Sequence, residues 1–192
     1  VVKYLHQTKD LGLKYHLGDK IEQNAFSDAE FAGQHKDGKS VGGFTVRLGS
    51  GILAASSKKQ TVVALSTAAA EYYALSAACI EIYHLRNILE FLGHTQQSAT
   101  LCYVDSTAAK AIAEKVADTK KSKTIDVRYM FVQDMIKREV VKLAYIKTDE
   151  MVADIFTKPL AREIFEKHRA VLVGAFSFML TWIGARCYCC QW

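Results

Sequence analysis

Leu75, Ala78, Ile82, Leu85, Leu89 and Leu92 recur at alternating steps of three and four, the spacing that lays apolar side chains along one stripe of an α-helix. The stripe predicts a long amphipathic helix that stops at Gly93, a residue suited to the left-handed turn beyond a helix end. Upstream, NAFSDAEF from Asn24, VGGFTVRL after the turn-forming QHKDGKS, and GILAASS after Gly49 to Gly51 are short and closely spaced, which predicts three antiparallel strands joined as hairpins. Downstream, TLCYVD is apolar with β-branched and aromatic members, and STAAKAIAEK is strongly helix-forming, so a strand hands directly into a helix. Ile125, Tyr129, Val132 and Ile136 then share one helical face, and VVKLAYIKT alternates as a strand. TDEMVADIFTK reads as helix, and past Pro159 LAREIFEKHRAVL reads as a further helix or a kinked continuation. The resulting order, βββαβααβα, predicts an α/β sandwich with a mixed five-stranded sheet flanked by helices.

Both ends of the chain stand apart from that pattern. Residues 1–20 have no strong period and close on a Gly-Asp turn, a lead-in of partly helical character, with the domain proper at 21–173. Residues 174–192 form a tail of foreign composition: SFMLTWIGARCYCCQW has no acidic residue, both tryptophans and three of the five cysteines. Sixteen uncharged residues separate Arg169 from Arg186, fewer than the ~20 a membrane-spanning helix requires, so a membrane partner is not expected. The 192 residues, with 25 Lys plus Arg against 20 Asp plus Glu and a net charge of +5, suit one globular domain that tolerates an anionic partner without demanding one. An odd number of irregularly spaced cysteines speaks against a secreted disulfide scaffold.

The candidate chemistry lies in carboxylates that the apolar pattern does not accommodate. Four residues before Leu75, the buried stripe extends onto Glu71, whereas Glu81 and Glu90 fall off it; an unpaired charge in a core position is costly without a compensating cation. Asp28 interrupts the first strand, sharing a face with Phe26, in a setting that disfavours aspartate. Asp105 ends the strand TLCYV, where capping of the next helix is an equally good reading for it taken alone. Asp154 taken alone reads as a surface charge near the start of the last helical region. Together, in a sandwich whose long helix crosses the sheet, the four can converge. Each ionised pair at ~4 Å would cost ~4 kcal/mol at an effective dielectric of about 20, a repulsion that divalent cations offset. Oxygen ligands select Mg²⁺ or Mn²⁺, and two such ions are suited to in-line phosphodiester hydrolysis. The six histidines show no paired ligand spacing for zinc, the Cys187, Cys189 and Cys190 cluster lacks CxxC pairs, and no GxxxxGK, GxSxG or GxGxxG motif is present.

The segments SDAEFAG with DGKSVGGF, SSKKQTVVALSTAAAEYYALSAA, VDSTAAKAIAEK, KTIDVRYMFVQD and VADIFTKPL resemble, in order and spacing, the ribonuclease H domain at the end of the reverse transcriptase in copia-type LTR retrotransposon polyproteins. The likeness covers about residues 1–173, and VVKYLHQTKDLGL looks like the connection from an upstream polymerase part. It implies a ribonuclease H-like fold, two Mg²⁺ or Mn²⁺ ions, and cleavage of the RNA strand of an RNA–DNA hybrid inside a cytoplasmic virus-like particle. By the same resemblance Asp28, Glu71, Asp105 and Asp154 are the metal-binding catalytic set, with Asp28 shared between the ions, Glu71 and Asp105 on one side and Asp154 on the other. The chain departs from relatives at Thr124 and Met130, where they commonly carry histidines, at Ala55 for a tryptophan and at Ala69 for a glutamate.

A hybrid presents two phosphate backbones to a basic, hydroxyl-rich surface. Lys58, Lys59 and Gln60 lead as nucleic-acid contacts, with Lys121 and Lys123 as a second patch for which a solvated loop is an even alternative. Tyr72 and Tyr73, inside an amphipathic helix, read as core. Two rivals stand beside the nuclease: an inactive remnant that keeps the fold and weak nucleic-acid binding, and a related transposase or integrase core that joins DNA ends.

Overall fold

The computed structural model describes residues 2–16, 18–32, 37–114 and 127–175. A short helix α1 (Val2–Gln7) and a two-residue strand β1 (Leu11–Gly12) lead into β2 (Gln23–Glu30), β3 (Val41–Leu48) and β4 (Gly51–Lys59). The long helix α2 (Thr67–Phe91) follows, then β5 (Thr100–Val104), α3 (Thr107–Glu114), α4 (Val127–Lys137), β6 (Val141–Tyr145), α5 (Arg162–Leu172) and β7 (Gly174–Ala175). β2 to β6 make one mixed sheet ordered β4-β3-β2-β5-β6, antiparallel through β4, β3 and β2 and parallel across β2, β5 and β6. From residue 21 to 172 the strands and α-helices come in the predicted order.

The central strand β2 is covered on both faces. Ala25 joins Leu75, Ala78 and Ile82 of α2, Cys102 and Val104 of β5, and Val132 and Met135 of α4 in the main core, while Phe26 on the opposite face joins Met151, Val152, Ala153 and Leu172 in a second core. Ser66 caps α2, its hydroxyl accepting from the Ala69 N–H at 3.2 Å. The predicted stripe holds through Leu89, but Leu92 lies past the last turn and is 61% exposed, and Gly93 takes the left-handed conformation at φ +81°. Tyr72 is buried, stacks on Tyr129 at 4.0 Å between ring centroids, and donates its hydroxyl to the Tyr129 carbonyl at 3.2 Å. Arg86 on α2 ties down the next loop through the carbonyls of Gln96 and Ser98 and the Thr100 hydroxyl.

The expected helix over TDEMVADIFTK is instead a pair of 3-10 turns, Thr148–Glu150 and Val152–Phe156, broken at Met151. Met151, Val152, Ala153 and Asp154 are all buried. Four successive residues of an α-helix point around most of its circumference, so no single helical face could bury them together. The lead-in is also more ordered than its sequence suggests: β1 pairs antiparallel with β7, and the Tyr4 and Phe165 rings meet edge to face at 6.0 Å. Among the described residues no helix is long and apolar enough to cross a membrane.

Candidate active site

Asp28 lies in β2 opposite Gly43 of β3. A methyl group on Gly43 would stand 2.8 Å from both Phe156 Cβ and Thr157 Cγ2, so the glycine is what lets the second 3-10 turn lie against the strand. That approach sets the Thr157 hydroxyl on Asp28 Oδ2, to which it donates, with the Asp154 carbonyl 3.2 Å away. It also brings Lys158 Nζ to 3.0 Å from Asp154 Oδ1 and 3.8 Å from Asp28 Oδ2.

β2 and β5 run parallel with Phe26 beside Tyr103 as the last pair; Asp28 lies two residues further along β2 and Asp105 just past the end of β5, both towards the carboxyl ends of the strands, where ligand sites of α/β sheets lie. Ser106, not Asp105, caps α3, its hydroxyl accepting from the Ala109 N–H at 3.1 Å; Asp105 Oδ2 accepts from the Thr148 hydroxyl at 2.9 Å. Glu71, in the second turn of α2, is 6% exposed. Asp28, Glu71 and Asp105 each offer a carboxylate oxygen within 4.8 Å of the others. Asp154 stands outside that trio and is linked to Asp28 through Thr157 and Lys158.

Burial pushes the Glu71 carboxyl up to about 9, with the Asp28 and Asp105 charges adding to the rise. Asp154 is pushed up to about 7, again by burial first and by Asp28 second, against the pull of Lys158. Burial works against the Lys158 ammonium, but the Asp28, Asp154 and Asp105 charges outweigh it and its pKa ends above the ordinary lysine value. Buried Glu71 Oε2 has no hydrogen-bond partner among the described residues. Three hard oxygen donors within common reach, one of them buried without a partner, fit a divalent cation of the Mg²⁺ or Mn²⁺ class.

No protein-family model matches the chain. It is 30% identical over 166 residues, 86% of its length, to the retrovirus-related Pol polyprotein from transposon RE2 of Arabidopsis thaliana, and 33% identical over 177 residues, 92% of its length, to that from transposon TNT 1-94 of Nicotiana tabacum. The chain spans 11% and 13% of those two polyproteins. Among solved structures, LC11-RNase H1, isolated from compost by a metagenomic approach, superposes with a TM-score of 0.52 at 18% identity, covering 77% of this chain and 97% of that one. The chain is homologous to a segment of copia-type retrotransposon Pol polyproteins, and its fold is ribonuclease H-like.

In this ribonuclease H-like domain the residues expected to face substrate divide. Lys58 is exposed at the end of β4 opposite Gly42 and has no ion-pair partner among the described residues. Lys59 pairs with Asp37 at 2.7 Å, and Gln60 spends its amide N–H on the Ala70 carbonyl at 2.9 Å, fastening the strand exit to the start of α2. Lys58 and Gln60 line a cavity of about 330 Å³ together with Tyr73 and Arg128, whose guanidinium lies 5.1 Å over the Tyr73 ring. Lys121, Lys123 and Thr124 lie outside the described residues, as does the tail 177–192. Met130, at the second departure from the relatives' histidines, is 55% exposed on α4. Thr157 and Lys158 escaped the sequence reading; the only signal was Lys158 four residues beyond Asp154.

Proposed function

We propose that this domain is the ribonuclease H part of a retrotransposon Pol polyprotein and hydrolyses the RNA strand of an RNA–DNA hybrid. The observation that carries the reading is the gathering of Asp28, Glu71 and Asp105 within 4.8 Å, with Asp154 fastened to Asp28. Asp28 belongs both to the group with Glu71 and Asp105 and to the contacts that reach Asp154, so it would be the carboxylate shared by two ions. Glu71, Asp105 and Asp154 complete the ligand set. Two bound Mg²⁺ or Mn²⁺ ions supply an activated water and neutralise charge at an in-line phosphodiester displacement.

The protein's own work is to hold these oxygens in place. Thr157 orients Asp28, Thr148 orients Asp105, and burial keeps Glu71 protonated until a cation takes the proton's place. Lys58 and the cavity beside it are the proposed hybrid-facing surface, with Lys59 and Gln60 bracing its floor and Lys121 and Lys123 adding positive charge. The preceding reverse transcriptase region of the same polyprotein is the proposed covalent partner, reached through residues 1–20.

Incubating the chain and its Asp28→Asn variant with a labelled RNA–DNA duplex and Mg²⁺ or Mn²⁺ tests the reading. Cutting of the RNA strand by the native chain and its loss in the variant is expected. Equal background cleavage by both would make the domain an inactive remnant, and nicking of duplex DNA without hybrid cleavage would make it a DNA-joining core.

A further inference from the structure

Two cationic demands meet at one place in this site. A divalent ion held jointly by Asp28 and Asp154 must sit about 2.1 Å from an oxygen of each. The Lys158 ammonium lies 3.0 Å from Asp154 Oδ1 and 3.8 Å from Asp28 Oδ2, within the space such an ion needs. Thr157 also engages Asp28 at Oδ2, so neither residue occupies Oδ1. The ammonium is therefore in ion-pair contact with Asp28 and Asp154, and acts on Glu71 and Asp105 only through longer-range attraction.

We propose that Lys158 is an internal counter-cation that holds the place of the second divalent ion. The two ions then load in order: the first at Asp28, Glu71 and Asp105, the second only when the ammonium has left. The lysine is a positioning residue. It neutralises Asp154 and Asp28 while the second ion is absent and sets how much metal is needed to complete the site. Its side chain is 31% exposed, and a flexible four-carbon stem lets the ammonium turn to solvent without moving the backbone. The inference rests on the two-ion nuclease reading above and concerns how that site fills.

Calorimetric titration of the full chain with Mn²⁺ tests it, comparing native protein with Lys158→Met and Lys158→Arg. Native protein should show a tighter and a weaker binding event. Lys158→Met should tighten the weaker event by about tenfold or more, the effect of removing one partly buried competing charge, and tighten the first event by a clearly smaller factor, since Glu71 and Asp105 feel the ammonium only at longer range. Lys158→Arg, which keeps the charge, should restore the native weak event. In EDTA, Lys158→Met should melt below native protein, and saturating Mn²⁺ should close that gap, which a purely structural prop would not allow. Should the variant fail to fold, the Lys158 ε-methylene resonances of native protein serve instead, since they should move with the second Mg²⁺ and not the first. Unchanged or weakened second binding in Lys158→Met, or resonances that follow the first ion, would overturn the proposal. A native chain that binds no Mn²⁺ would sink the nuclease reading and this inference together. Two bound ions and hybrid cleavage with an unaltered Lys158→Met titration would sink this inference alone.

Discussion

Replacing Glu71 by Gln should stabilise the metal-free protein at alkaline pH. Glu71 has its pKa pushed to about 9 by burial and by the Asp28 and Asp105 charges, from an ordinary value of 4.5. Its folded-state pKa is raised, so between those two values the folded protein holds a proton that the unfolded chain has released. The stabilisation is complete below about pH 4.5 and is lost as pH climbs towards 9, at up to about 1.4 kcal/mol per pH unit. At about pH 8 the accumulated loss is about 5 kcal/mol, large against the roughly 5–15 kcal/mol that typically holds a domain together. Glutamine copies the protonated carboxyl in shape and cannot ionise. Urea unfolding in EDTA should therefore find the two proteins within about 1 kcal/mol at about pH 5 and the variant well ahead at about pH 8. The variant keeps a lesser slope up to about 7 from Asp154, whose carboxyl is also raised. With saturating Mn²⁺ the order should reverse, because the native protein gains a ligand interaction that glutamine cannot supply. Parallel stability curves for the two proteins across the pH range in EDTA would refute the claim that Glu71 is a buried, proton-holding carboxyl.

Gly43→Ala sets a methyl 2.8 Å from Phe156 Cβ and Thr157 Cγ2; it should cost about 1–3 kcal/mol in urea unfolding and weaken Mn²⁺ binding by displacing the turn that carries Asp154. Ser106→Ala removes the cap of α3 and should cost about 1 kcal/mol with Mn²⁺ binding unchanged, whereas Asp105→Asn should leave stability in EDTA nearly intact and weaken the metal; the reverse pattern would return the capping role to Asp105. Tyr72→Phe keeps the ring stack on Tyr129 and deletes one hydrogen bond, so it should cost about 1 kcal/mol, read as a small fall in melting temperature.

The extent to which the molecule could be read from its residues follows from how local each signal is. The strands β2 to β4 announce themselves by their spacing and the turn residues between them, and β6 with the helices α2 and α4 because burial on one side imposes a period on neighbouring positions; Glu71 is conspicuous for that second reason, as a charge in an apolar stripe. Asp105 was ambiguous until Ser106 proved to be the cap. The path of residues 148–158 departs from the helix that its pattern predicts, since hydrophobic residues at successive positions satisfy a helical period only in part and are buried here by two surfaces at once. Thr157 and Lys158 were invisible for a deeper reason: their importance is created by Gly43, more than a hundred residues upstream, which admits them to the sheet. The two-residue strands β1 and β7 are too short to carry any period.

That β1–β7 ladder joins Leu11 and Gly12 to Gly174 and Ala175, drawing the two borders of the domain together. Tension applied through flanking polypeptide would be borne first by this short clasp, whose few hydrogen bonds yield before the eight-residue register between β2 and β3. Tugging at its neighbours would thus be absorbed at the hem, leaving the carboxylates at the ends of β2 and β5 in alignment.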